Sequence, residues 1–536
     1  MATLTQQVPH VQGRVSPMAG LRSSRGGLVV FLAALAGGVG FIGLHLFRDL
    51  EGARSSDFWP YLLLGAALLI ALGFEFVNGF HDAANAVATV IYTNSLEPHI
   101  AVVLSGICNL CGVLVSTGTV AYAIVALLPV ELILQVNSHA GFAMVFALLI
   151  AAILWNLSTW WLGLPASSSH TLVGSIVGVG IANQLLNPLS GASGVDWGQA
   201  VKVLEALFIS PVIGFSVAGI LLLVSKRLFR YPALYEAPRG NTPPPFPVRA
   251  LMVINCTGVS FFHGSNDGQK GMGLIMLILI GTVPGAYALN HSAGAAEVQR
   301  FLNASQRVVQ ILDGHSAAMD TDDTAARAQV TEYIRTRRLA PRTLPALRTL
   351  IGSLDGKVGR YRAYGSLPAQ EQADVRNDMY VTGEALRLME KDHPHQFTAG
   401  EWKTVRSYRS SLDQATRYIP DWVKVAVALA LGLGTMVGWK RITVTVGEKI
   451  GKDHLTYAQG AAAGLVAMGT IFGANGFGLP VSTTHILSSG VAGTMAANGS
   501  GLRMRTIRNI AAGWVFTLPA AAMLSALLYL AFRQIP

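Results

Sequence analysis

From residue 27 onward the chain runs through one apolar stretch after another, most of them about twenty residues long. A stretch of that length and polarity spans the hydrocarbon layer of a membrane as a helix. The candidate spans are 27–47, 61–80, 100–129, 141–162, 201–224, 249–262, 272–289, 423–438, 457–472 and 509–532. Two further stretches, 163–186 and 478–497, are apolar but rich in Gly, Ser and Thr, and each has a Pro near its start. They read as broken or re-entrant segments. About 10 to 12 crossings are expected. A segment 27–47 that long exceeds the apolar core of a signal peptide and reads as a retained span.

Charge divides the chain. Residues 290–420 hold 18 of its 39 Lys and Arg and 15 of its 29 Asp and Glu. That stretch is about a quarter charged, like an ordinary soluble domain. The remainder is charge-poor. The organisation expected is a polar tail 1–26, a first membrane block 27–225, a basic loop 226–248, a short membrane segment 249–290, a hydrophilic insert 291–420 and a closing membrane block 421–536. Apolar residues at helical spacing, such as Leu344, Leu347, Leu350, Ile351 and Leu354, predict amphipathic helices in the insert. The loop 226–248 holds Lys226, Arg227, Arg230 and Arg239 against Glu236 alone, with Arg249 just beyond. It belongs on the cytoplasmic side, as do the basic segments 440–452 and 503–508. The net charge of +10 is mostly this topological signal. A nucleic-acid partner is excluded, because its recognition requires a basic, polar surface domain.

The chain repeats itself. Gly163-Leu164-Pro165-Ala166-Ser167-Ser168-Ser169-His170 returns as Gly478-Leu479-Pro480-Val481-Ser482-Thr483-Thr484-His485, offset by 315. Gly178 returns as Gly493 at the same offset. Gly79-Phe80-His81-Asp82-Ala83-Ala84-Asn85 aligns with Gly264-Ser265-Asn266-Asp267-Gly268-Gln269-Lys270, offset by 185. The two offsets differ by 130, the length of the insert, so two copies share one plan and the second is split. Duplicated halves with interrupted hydrophobic segments at matching places point to a secondary transporter, with its site where the breaks meet.

Gly and Pro in each octet interrupt one helix, and the Ser/Thr run is suited to start another near Ser169 or Thr484. A helix start offers unpaired N–H groups and partial positive charge, and hydroxyls add donors. Ser167, Ser168, Ser169, Thr171, Ser482, Thr483 and Thr484 are therefore candidates to hold an anion. The alternative is two kinks whose hydroxyls bond back to their own backbone. Ionisable groups in the membrane cost several kcal/mol unless paired or hydrated. Asp82 and Asp267 occupy equivalent positions and are candidates for a coupling cation or proton. Glu75, His81, Asn85, Asn266 and Lys270 complete the set, with structural pairing as the alternative for each. His170 and His485 share the repeat, and His263 is a further histidine in apolar context. No resident cofactor or metal is expected. The pair Cys108 and Cys111 lacks the second ligand pair of a zinc site. Trp155, Trp160 and Trp161 read as an interfacial belt. No GxxxxGK[ST] phosphate loop is present, and Ser169-His170, duplicated in apolar segments, does not read as a hydrolase, so no enzyme is expected.

These strings resemble the inorganic phosphate transporter (Pit) family, in particular its bacterial low-affinity permeases. The residues that carry the likeness are NGFHDAANAVATVIYT at 78–93, 163–171, HGSNDGQKG at 263–271, GEKIG at 447–451 and 478–485. The resemblance implies an all-α polytopic membrane protein of two inverted repeats, each with a re-entrant helical hairpin. It implies symport of phosphate with a proton or sodium, with neutral divalent metal–phosphate complexes accepted by some members. It places the protein in the bacterial inner membrane and makes a homodimer one arrangement open to it. The family motif reads roughly GANDxAN in both copies. Here Phe80-His81 precedes Asp82, and Gln269-Lys270 stands where Ala-Asn is usual. A fixed charge on Lys270 can replace a sodium ion, and His81 can carry a proton, so proton coupling is the expectation. Sulfate or arsenate symport is the alternative of the same class. A passive channel, or a receptor with a docking insert, is the alternative of another class.

Overall fold

A computed structural model of the chain describes residues 25–50, 59–128, 138–186, 195–238, 242–316 and 322–534. The tail expected at 1–26 lies almost wholly outside them. Among the described residues the fold is helical, with no strand and one isolated backbone bridge between Gly451 and Leu502.

The helices before the insert are α1 (Arg25–Leu50), α2 (Trp59–Tyr92), α3 (Pro98–Val115), α4 (Thr119–Val125), α5 (His139–Trp161), α6 (Ser168–Leu186), α7 (Trp197–Leu228) and α8 (Phe246–Thr282). Among the described residues six helices are both long and apolar enough to cross a membrane: α1, α2, α3, α5, α7 and one near the C-terminus, Met504–Phe532. The bent pair Asp421–Thr435 and Lys440–Lys449, which meets at 54°, makes a seventh. The 10 to 12 crossings expected from sequence therefore need the shorter or more polar helices of the core as well. The outward faces of α1 and α7 expose Leu28, Val30, Phe208, Val212 and Ile220. A contiguous apolar surface of that kind belongs against lipid.

Two spans expected separately, 249–262 and 272–289, are largely one helix of 37 residues, α8. The glycines in and beside the gap between them do not break it. A Cβ on Gly264 would fall closer than 3.0 Å to the Asn109 carbonyl of α3, and one on Gly273 would crowd the Ala121 carbonyl of α4. These glycines let backbones touch, the usual role of small residues where membrane helices cross.

The same close approach occurs twice. Gly264 meets the carbonyl of Asn109, while Gly79 meets that of Leu431; Gly112 meets that of Phe261, while Gly434 meets that of Phe76. The α2 and α8 positions differ by 185 in both cases, and their partners by 322. Each crossing joins an element of one half to an element of the other.

The insert supplies α9 (Ala295–His315), α10 (Asp323–Thr336), α11 (Thr343–Val358), α12 (Ala369–Asp392) and α13 (Ala399–Thr416). The predicted stripe Leu344, Leu347, Leu350, Ile351 and Leu354 lies on α11 and is buried in a core of its own with Phe301, Tyr333, Met389 and Tyr408. The amphipathic helices expected there are present. Thr398 caps α13 in a reciprocal box with Glu401. The chain then returns through α14 (Asp421–Thr435), α15 (Lys440–Val444) with a π-turn Thr445–Lys449, α16 (Tyr457–Gly476), α17 (Thr483–Asn498) and α18 (Met504–Phe532).

Candidate functional site

Each octet ends one helix and begins the next. Gly163 and Gly478 adopt left-handed conformations, φ 66° and 64°. Around them the backbone closes identically. Leu164 N–H bonds to Thr159 C=O and Leu479 N–H to Ala474 C=O, both at 2.9 Å. This is a Schellman stop, which needs a residue tolerant of positive φ at the glycine position. Ser167 Oγ then accepts from His170 N at 3.2 Å, and Ser482 Oγ from His485 N at 3.1 Å. Ser167 and Ser482 are thus helix caps, and α6 and α17 start within a residue of the predicted points.

The two helix starts converge on Asp82. Ser168 Oγ donates to Asp82 Oδ2 at 3.2 Å, and Thr484 Oγ1 donates to Oδ1 at 2.5 Å. His81 Nδ1 lies 3.1 Å from Oδ1, and its other nitrogen meets Thr159 Oγ1. Asn85 Nδ2 donates to Thr484 Oγ1 at 2.9 Å. On the other side, Lys270 Nζ donates to Asp267 Oδ1 at 2.6 Å and to Ser169 Oγ at 2.5 Å. Ser169 Oγ in turn donates to the Val481 carbonyl of the opposite hairpin. Asn266 holds that hairpin, donating to Asn475 Oδ1 at 2.6 Å and to the Leu479 carbonyl at 3.2 Å.

Apart from the half-buried Asn475, these side chains are buried, at 3% exposure or less. The structure brings together Asp82, Asp267, His81, Lys270, Asn85, Asn266, Ser168, Ser169 and Thr484. Thr171 does not join them; its hydroxyl bonds to the Ser167 carbonyl. Thr483 is buried, and its hydroxyl has no hydrogen-bond partner among the described residues. Glu75 lies beside the cluster, packed against Gly271 of α8 and within electrostatic reach of Asp267, Lys270 and His263, with Asn78 donating to one oxygen at 3.4 Å and, among the described residues, no hydrogen-bond partner on the other.

Sequence reasoning left His263 out of the site. Its Nε2 lies 3.7 Å from Asp82 and 3.5 Å from Asp267, and its Nδ1 meets Asn109 Oδ1 at 2.9 Å. The signal was available, since His263 is the counterpart of Asn78 at offset 185. Ligand atoms of Asp82, His263 and Asp267 lie within 4.8 Å of one another, close enough to share one cation. Two carboxylates and an imidazole suit a proton or a small cation, and the helix starts beside them suit an anion. The rings of His170 and His485 meet between the hairpins at 4.4 Å, tilted by 35°, and His485 stacks on Trp514 at 4.1 Å.

The family model described as "Phosphate transporter family" matches residues 78–525. The chain belongs to that family. It is 40% identical over 502 residues to the low-affinity inorganic phosphate transporter PitA of Escherichia coli K12, covering 91% of this chain and 98% of that protein. It is 40% identical over 489 residues to PitB of the same organism, covering 88% and 97%. A probable low-affinity inorganic phosphate transporter of Bacillus subtilis is 27% identical, covering 87% and 96%. Among solved structures, one titled "The sodium-dependent phosphate transporter" aligns with a TM-score of 0.48 at 18% identity, covering 89% of this chain and all of that one. Membership in a family of transporters, with apolar helices of spanning length, makes this an integral membrane protein with a transport role rather than a catalytic one.

Proposed function

We propose that the chain carries inorganic phosphate across the bacterial inner membrane by proton symport. The observation that carries this is the meeting of two capped helix starts, α6 and α17, at one buried cluster of Asp82, Asp267, His263 and Lys270. The helix ends supply N–H groups, hydroxyls and partial positive charge for a tetrahedral oxyanion. The buried hydroxyl of Thr483 offers a donor already at such an end. The relatives' printed names, low-affinity inorganic phosphate transporters, support phosphate as that oxyanion.

The coupling charge follows from the balance of the site. Two carboxylates face one ammonium, and a proton carried by a histidine or carboxylate makes up the difference. Lys270 fills with a fixed charge what an amide would leave for sodium. The halves are read as inverted repeats and 163–186 and 478–497 as arms of re-entrant hairpins, supported by the reciprocal crossings at equal offsets. Opening and closing of these halves about the cluster would give alternating access. A divalent metal could accompany phosphate as cargo, with Asp82, His263 and Asp267 as its nearest ligands.

The test is accumulation of radiolabelled phosphate in liposomes under an inside-alkaline pH gradient, with and without sodium and magnesium. Proton-driven, sodium-independent uptake, lost in Asp82→Asn and Asp267→Asn, is expected. Uptake that collapses without sodium and survives a protonophore would overturn proton coupling. Uptake of sulfate in preference to phosphate would move the substrate.

A further inference from the structure

The basic segments gather at one end of the molecule. Tyr92, at the end of α2, donates to Glu448 at 2.7 Å, and Arg249 Nε donates to the nearby Ser95 carbonyl at 2.9 Å. Arg503 N–H bonds to the Ile450 carbonyl and Lys452 N–H to that of Gly501, both at 3.0 Å. The basic loop between α7 and α8 therefore lies with 440–452 and 503–508. The insert begins after the other end of α8. It also binds the other end of α7, where Asp196 meets Arg387 at 3.1 Å and Arg337 at 3.4 Å. With 32 and 37 residues, α7 and α8 are each about 50 Å long, more than the hydrocarbon thickness. The insert is thus on the face opposite the basic loops, and the positive-inside rule makes that face extracytoplasmic.

Under the insert lies a cavity of about 450 Å³. Its walls carry Lys202 of α7 and Arg376, Arg387, Arg409 and Arg417 of the insert, against only two carboxylates, Glu384 and Asp413. Arg387, Arg409 and Arg417 are engaged with Glu384, Glu390 and Asp413. Arg376 is 6% exposed, with its guanidinium over the Tyr380 ring at 5.3 Å. Burial lowers its pKa from the usual arginine value, and its Nη1 donates to Asn377 Oδ1 at 3.2 Å. The floor is the turn of the second hairpin, Gly476 to Leu479, together with Gly273 of α8. Leu479 is the residue whose carbonyl Asn266 holds, and Gly273 lies one helical turn beyond Lys270.

We propose that the insert caps the extracytoplasmic face and that the cavity beneath it is a vestibule that binds phosphate before it reaches the hairpin ends. The proposal rests on the phosphate reading above. A cleft whose lining carries an excess of positive charge raises the local concentration of anions and so lowers the concentration needed for uptake. The low-dielectric floor of membrane helices strengthens that field.

Two measurements test it on the full chain. A membrane-impermeant maleimide, with unmodified protein as the blank for the native cysteines, is applied to intact spheroplasts. Gly400→Cys, at an insert position open to solvent, should react from outside, and Arg230→Cys only after permeabilisation. The reverse pattern overturns the placement. Phosphate uptake is then measured for Arg376→Gln and, because Arg376 is buried, also for the exposed Lys202→Gln. KM should rise about five-fold with kcat retained, and should depend less on ionic strength. Normal KM in Lys202→Gln, with normal or merely abolished uptake in Arg376→Gln, overturns the vestibule while the transport reading stands. Absence of uptake by the unmodified protein overturns the transport reading and the vestibule with it.

Discussion

Lys270 stands in the second half where Asn85 stands in the first, and each donates to the hydroxyl at the start of the other half's hairpin helix. Lys270 Nζ reaches Ser169 at 2.5 Å, and Asn85 Nδ2 reaches Thr484 at 2.9 Å. The pairs match residue for residue at offsets 185 and 315. One half therefore closes on a neutral amide and the other on a fixed cation that also pairs with Asp267. This asymmetry, together with those of Asn78 against His263 and His81 against Asn266, is what the proposed proton coupling turns on.

Replacing that cation should change the ion used. Lys270→Asn restores an amide in both halves and leaves Asp267 in need of a cation. Phosphate uptake in liposomes should become dependent on sodium. Lys270→Met offers neither charge nor amide. It strands a buried carboxylate, a loss of about 3–5 kcal/mol, and should abolish uptake with or without sodium. Sodium-independent, proton-driven uptake by Lys270→Asn would show that the charge does not select the ion.

Asp82 is the single acceptor on which both hairpins converge, through Ser168 of one and Thr484 of the other. Asp82→Asn keeps the shape and removes the charge. Each hydrogen bond to a charged group contributes about 1.5–3 kcal/mol, so uptake should fall about 10- to 100-fold. Ser168→Ala, which removes one donor and leaves Thr484 in place, should cost less. The comparison is made on initial rates at equal amounts of folded protein. Equal losses in the two variants would place the role of Asp82 elsewhere.

Much of this was legible in the residues. The two octets gave the helix breaks, because Gly and Pro there have local conformational consequences that need no tertiary context. The stripe on α11 gave an insert helix, because burial of one face sets its periodicity. Spacing could not give the crossing of partners. Asp82 binds Thr484, 402 positions away, and Lys270 binds Ser169, 101 positions away, and local pattern carries no record of such pairings. His263 is marked in the sequence by its apolar context and its match to Asn78, but its pairing with Asp82 across two helices comes only from the fold. The joined helix α8 reads as two spans because the polar string 263–271 interrupts the apolar run, and Gly264, Gly268 and Gly271 lie within it. In the fold they are contact points whose partners lie on other helices.

Those contact points predict where small changes are not tolerated. A Cβ on Gly79 or Gly264 would fall inside contact distance of a backbone carbonyl, which cannot move aside as a flexible side chain can. Gly79→Ala and Gly264→Ala should each destabilise the bundle by about 1–3 kcal/mol or more, read as a lower melting midpoint in detergent. Gly65→Ala and Gly469→Ala, with nothing within 4 Å of the added carbon, are the controls and should leave the midpoint unchanged or slightly raised. Equal behaviour of the two sets would mean that the helices cross less closely than described.

The insert offers a pH test separate from transport. Asp355 receives a hydrogen bond from Ser305, yet burial still raises its pKa above the ordinary carboxylate value. A carboxyl whose folded pKa is raised favours the folded state when protonated. That contribution is complete below the unfolded value and is lost as pH rises through the folded one. At neutral pH the buried charge is therefore a cost. Asp355→Asn, which keeps an oxygen acceptor for Ser305, should slow proteolysis of the insert at neutral pH and have little effect at a pH below the carboxylate range. Faster proteolysis of Asp355→Asn at neutral pH would mean that the ionised carboxylate stabilises the insert, contrary to the direction set by its burial.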